Sequence, residues 1–101
     1  MEIKLLFRKN ENIVAERFND RLLLFDLDTN LPFILNPVAS FIFLNTDGLK
    51  RSKEIADMVS QEFDVELEQA LSDVENLNKE FQQKRIVSRI KYKMEKKIGS
   101  E

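Results

Sequence analysis

Neither cysteine nor histidine occurs in this 101-residue chain. Their absence removes disulfides, thiolate and imidazole metal sites, cysteine nucleophiles and histidine acid–base chemistry together. Glycine and proline occur only twice each, too rarely for a loop-rich or disordered chain. No apolar run approaches the roughly 18 residues that cross a bilayer. The opening MEIKLLFRKNE has neither the apolar stretch nor the small-residue cleavage site of a signal peptide, so a cytoplasmic location is expected. Carboxylates remain as ligands for hard cations. The turn Asp26-Leu27-Asp28-Thr29-Asn30, however, lacks the glycine and the distal glutamate of a calcium loop. Walker, GxGxxG and GxSxG motifs are missing as well. The expectation is a protein that is not an enzyme and holds no metal or cofactor.

What is present is the material for one core. The chain is 43% hydrophobic with eight phenylalanines, enough for a single domain of ordinary size in which most elements share that core. Charge is unevenly spread. Residues 84–101 carry seven basic side chains against two acidic ones, +5, so the overall −2 leaves −7 for residues 1–83. The domain is expected to span residues 1–90, with 91–101 a solvated basic tail.

Local patterning predicts the elements. Residues 13–18 and 21–27 are strand-like and flank Asn19-Asp20, two residues that tolerate positive φ, which reads as a tight hairpin. Asp28-Thr29-Asn30 is a second turn, followed by the short strand Leu31-Pro32-Phe33-Ile34-Leu35. Pro32 donates no ladder hydrogen bond and puts that strand at a sheet edge. The opening IKLLFRK is a candidate fourth strand. Asn36 and Pro37 suit the N-cap and first position of a helix running to about Thr46, which Asp47-Gly48 would end. Only Ser40 is polar between Val38 and Leu44, so the helix should be buried nearly all round, with Phe41 and Leu44 in the core. Ser52 is the expected cap of a second helix through Phe63, with Ile55, Val59 and Phe63 in line. Asp64 is the expected cap of a third, with apolar residues Leu67, Ala70, Leu71, Val74, Leu77 and Phe81. Ile86-Val87 should close the packed region, leaving a helical or frayed polar remainder.

Three short strands followed by three helices make an α+β, winged-helix-like arrangement: a three-stranded antiparallel sheet packed on helices. Within it, Phe33-Ile34-Leu35-Asn36, the apolar helix, Asp47-Gly48, Arg51-Ser52 with Ile55, then Phe63, Asp73-Val74 with Leu77, and Ile86-Val87 resemble the PqqD family. That is the pyrroloquinoline quinone biosynthesis protein D group, akin to the precursor-peptide recognition elements of ribosomal peptide natural-product pathways. The resemblance covers about residues 13–87. The chain departs from the pattern at Pro37, where a small or hydroxylated residue is usual, at Ser52 for threonine, and at Gln82-Gln83-Lys84-Arg85 in place of a glycine-containing turn. The resemblance implies a non-catalytic peptide-binding module. Such modules capture the leader segment of a precursor peptide between the third strand and third helix. They then present it to a maturation enzyme, a radical S-adenosylmethionine protein or a leader peptidase.

Elementary chemistry points the same way. An edge strand offers free N–H and C=O groups to an extended peptide, whose alternate side chains fill pockets. Leu31, Phe33 and Leu35 share one strand face and Pro32 and Ile34 the other. With Ala70, Leu71, Val74, Leu77, Asn78 and Phe81 as the opposite wall, Leu31, Phe33, Ile34 and Leu35 form the expected peptide site. Two alternatives use the same fold. A winged helix can bind DNA, but residues 66–85 carry five acidic against three basic side chains, the wrong sign for phosphate contacts. No nucleic acid or membrane partner is therefore expected. Edge-strand pairing with a second copy would instead give a homodimer or purely structural domain.

Overall fold

The structure, a computed structural model, describes residues 2–94. Its elements run β1 (Glu2–Lys9), β2 (Ile13–Phe18), β3 (Arg21–Asp26), β4 (Leu31–Leu35), α1 (Pro37–Asn45), α2 (Ser52–Phe63), α3 (Leu67–Gln83) and β5 (Val87–Met94). The expected α+β arrangement is present, with a three-stranded antiparallel sheet in the order β2-β3-β4 and β4 at an edge. The hairpin turns on Asn19 at φ 59° and the next turn ends on Asn30 at φ 63°, the left-handed region asparagine tolerates.

A second sheet corrects the reading of the C-terminus. The opening strand pairs antiparallel with β5 from Glu2↔Met94 to Lys9↔Val87. Residues 88–94 are therefore strand, neither helix nor frayed tail, and the expected boundary at residue 90 falls inside β5. The remainder of the expected basic tail, 95–101, lies outside the described residues. Asn10 ties the end of β1 to the start of β5. Its backbone N–H donates to Ile86 O at 3.0 Å and its side chain donates to Arg85 O at 2.8 Å.

α1 lies between two packed clusters. Ala39 and Phe43 join Leu22, Leu24, Leu35, Phe81, Ile86 and Val87 on the sheet side. Ile42 joins Ile55, Ala56, Val59, Ala70 and Val74 on the helix side. This explains the near-absence of polar residues in α1, since both flanks meet protein. The exception is functional to the fold: buried Ser40 accepts from Leu22 N–H at 2.9 Å and donates to Leu35 C=O at 3.2 Å. Its hydroxyl thus stands between the ends of β3 and β4. Two expected core residues are less buried than their pattern suggests. Leu44 is 43% exposed, and Phe41 is half-buried, edge-on to Phe63 at 5.5 Å.

The helix ends also sharpen the sequence reading. Asn36 caps α1 as expected, its side chain accepting from Ala39 N–H at 2.8 Å. α1 ends at Thr46 as expected, but Thr46 itself closes it: its N–H donates to Phe43 O and its hydroxyl to Ile42 O at 2.7 Å. Gly48, at φ +82°, instead carries the loop past the two-stranded sheet, where a Cβ would lie 3.4 Å from Ile90 and 3.5 Å from Arg8. Ser52 is the first helical residue of α2 and Arg51 its cap position, whose N–H donates to Glu54 at 2.7 Å. Asp64 ends α2 in the left-handed region at φ 55°, and Glu66 occupies the cap position of α3.

Candidate functional site

The candidate site is assembled from the free edge of β4 and one flank of α3. The register of β4 on β3 runs Leu22↔Leu35, Leu23↔Ile34, Leu24↔Phe33, Phe25↔Pro32 and Asp26↔Leu31. Ser40 links Leu22 N–H to Leu35 C=O, so the backbone groups of Leu35 face β3. By alternation those of Phe33 and Leu31 do too, while Ile34 and Pro32 face away. Pro32 therefore sits where its missing N–H interrupts no ladder bond. The open edge offers the Ile34 N–H and C=O and the Pro32 C=O.

Beside that edge runs a groove of about 440 Å³ between β4 and α3, lined by Phe33, Ile34, Leu35, Leu77, Phe81 and Lys84 among others. It continues as a trough of about 370 Å³ bounded by Asn36, Val38, Ala39, Asp73, Asn76, Leu77 and Glu80. Asn36, Ala39, Leu77 and Glu80 border both parts. The C-terminal end of β4 therefore faces the Asp73 turn of α3, and its N-terminal end faces Phe81 and Lys84. Lys84 reaches across that second end. Its ammonium lies 5.7 Å from the Phe33 ring centroid and 2.8 Å from the Glu80 carboxylate. The resulting channel is apolar at its floor, has charges of both signs along the α3 rim, and is flanked by an unpaired strand edge. Such a channel binds extended chains; among the described residues no cluster of acidic, histidine or cysteine side chains could hold a metal ion.

The ten residues expected at the site separate into groups. Phe33, Ile34, Leu35, Leu77 and Phe81 line the groove. Leu31 is exposed at the start of β4, outside that lining. Ala70, Val74 and Asn78 are buried, the first two within the α1–α2–α3 cluster, and Leu71 packs against that cluster. Asn78 is buried with neither amide atom hydrogen-bonded. The rim residues Asp73, Asn76, Glu80 and Lys84 were not anticipated. For three of them spacing was the available signal: Asp73, Glu80 and Lys84 share with Leu77 the series i, i+4, i+7, i+11, a stripe beside the 70-74-78-81 core stripe.

Comparison with known proteins agrees with this architecture. The structure of TbiB1 in complex with the TbiA(beta) leader peptide is similar at a TM-score of 0.73. It is 24% identical in sequence and covers 79% of this chain and 93% of that one. A lasso peptide synthetase B1 complexed with the leader peptide is similar at a TM-score of 0.74. It is 20% identical and covers 81% of this chain and 96% of that one. At such identities the likeness is one of fold. No curated protein sequence matches the chain. The family model for coenzyme PQQ synthesis protein D (PqqD) does match, over residues 21–87. That match runs from the first residue of β3 to the first of β5 and takes in the whole groove, so this chain belongs to the PqqD family.

Proposed function

We propose that this chain is a non-catalytic recognition module that binds the extended leader segment of a ribosomally made precursor peptide as an added strand on β4. The observation that carries this reading is the free Ile34 edge standing beside the apolar channel against α3. Main-chain bonds to Ile34 and Pro32 would hold any extended segment, and the pocket around Phe33, Leu77 and Phe81 would choose among side chains. Both similar structures were solved with leader peptides bound, which supports the same use of this groove. The module would then present the peptide's modifiable segment to a separate maturation enzyme, a radical S-adenosylmethionine protein or a leader peptidase.

DNA recognition fits this surface poorly. Residues 66–85 are acidic overall, and Glu68, Asp73, Glu75 and Glu80 on α3 would repel phosphates. Among the described residues no helix is long and apolar enough to cross a membrane.

Calorimetry with a synthetic leader, taken from a short precursor encoded beside this chain's gene, tests the reading. Affinity should fall only modestly with added salt, because apolar anchors carry it. Phe33→Asp would bury an unpaired charge against the bound peptide and should weaken binding more than tenfold, about 1.4 kcal/mol or more. Glu66→Gln, exposed at the start of α3, should leave affinity within twofold. Equal effects of the two variants, or a mixed-sequence DNA fragment that binds where the leader does not, would contradict the proposal.

A further inference from the structure

The face of the β2-β3-β4 sheet that points away from the helices is apolar and has no cover among the described residues. The registers set it out in rows across the strands: Val14–Phe25–Pro32, then Glu16–Leu23–Ile34, then Phe18–Arg21. Ile34 is 72% exposed and Phe18 67%, and Val14 and Leu23 are exposed as well. Part of this face forms a shallow, mostly apolar depression of about 640 Å³ between the β2–β3 hairpin and Ile34. A patch of this kind on a small chain marks an interaction surface.

Its charges are placed to suit a second copy of the same face. Leu23 is central, on the middle strand. Phe18 and Pro32 lie at opposite corners of one diagonal through it. Glu16 and Arg21 fall on mirror positions across that diagonal, as do Ile34 and Phe25. The mirror relation is close to geometric, because neighbouring strands are about 4.8 Å apart and successive rows about 6.8 Å. A two-fold axis laid along the diagonal, in the plane between two facing copies, therefore exchanges Glu16 with Arg21 to within about 3 Å. It sets Leu23, Phe18 and Pro32 against themselves and Ile34 against the partner's Phe25. The strands of the two sheets then cross near a right angle, one of the two usual packings of sheet on sheet.

We propose that this face is a homodimer interface in which two copies pack their sheets orthogonally, with Glu16 of each copy paired to Arg21 of the other. Neither residue forms an ion pair within its own chain among the described residues. A three-stranded face of this length has a footprint of roughly 14 by 17 Å, well below the roughly 800 Å² per partner of a standard stable interface. The dimer is accordingly weak and reversible. It leaves the lateral edge of β4 and the channel on the opposite side of the sheet free, so each copy keeps its groove.

Sedimentation equilibrium of the full chain from about 5 to about 500 µM, which covers weak micromolar association, reads the result. The wild-type chain should pass from monomer to dimer, and Leu23→Lys should remain monomeric with an unchanged circular dichroism spectrum. Glu16→Arg alone and Arg21→Glu alone should each weaken association at least tenfold, while the double variant restores it. A chain that stays monomeric throughout would overturn the proposal. So would a dimer indifferent to Leu23→Lys, or single charge reversals that the double variant fails to rescue.

Discussion

Phe43 and Leu44 are chain neighbours with opposite surroundings. Phe43 is 2% exposed and meets Phe81 edge-on at 6.1 Å, whereas Leu44 projects from α1 towards solvent. Lys9 completes the Phe43 setting: its ammonium lies 5.1 Å from the ring centroid and donates to Thr46 C=O at 2.9 Å. Phe43→Ala should therefore cost about 3–5 kcal/mol in urea unfolding, and Leu44→Ala less than about 1 kcal/mol. Similar losses from both would mean that α1 is rotated about its axis. Asp47 provides a separate test through pH. The Lys50 ammonium at 2.6 Å, together with the Leu49 and Lys50 N–H groups, lowers its carboxyl to about 2. Asp26 is lowered too, chiefly by the Asn12 side-chain amide at 2.9 Å. Both groups hold their charge better folded than unfolded. The stability they contribute is complete above the ordinary carboxylate value of 3.8 and is lost as pH falls below it, for Asp47 through about 2. Asp47→Asn should make the decline of stability between those pH values shallower, as followed by thermal melts; an unchanged slope would show that its contacts are not maintained in solution.

At the scale of elements, the turn from α3 into β5 keeps a left-handed step without the glycine that usually supplies it. Arg85 stands at φ 60°, with its N–H donating to Gln82 O and the next N–H, of Ile86, donating to Phe81 O at 2.8 Å. A side chain in that conformation costs about 1 kcal/mol or more. The attraction of one exposed cation to the helix C-terminus returns only about 0.3–1 kcal/mol, and Lys84 supplies a second cation there. Arg85→Gly should therefore raise stability by up to about 1 kcal/mol in urea unfolding; a loss would mean that the charge outweighs the strain. The three strands, three helices and the Asn36-Pro37 helix start were legible because turn and cap chemistry is local. The strand β5 was less so, although Ile90-Lys91-Tyr92-Lys93-Met94 alternates apolar and basic residues as a strand does. Its density of lysine resembled a solvated tail, and its partner β1 lies at the other end of the chain. The α3 wall was half legible for a related reason. Apolar periodicity finds the face that packs, and Ala70 and Val74 were spent on the core. The groove uses the adjoining stripe, where Leu77 stands among Asp73, Glu80 and Lys84.

For the whole molecule, one sheet divides its labour between the face that packs the core and the edge that stays open. The inward face and the Ser40 staple fix β4 in place, and the lateral edge stays open beside α3. Rigidity matters here because a preordered edge spares a peptide part of the entropic cost of strand pairing. Backbone amide chemical shifts of the full chain, followed by NMR while the synthetic leader is added, show whether the peptide joins that edge. The largest changes should fall at residues 31–36 and 73–84, with the Ile34 amide becoming protected from solvent exchange. Changes concentrated on α2 or on β1 and β5, with Ile34 still exchanging freely, would contradict strand addition at β4.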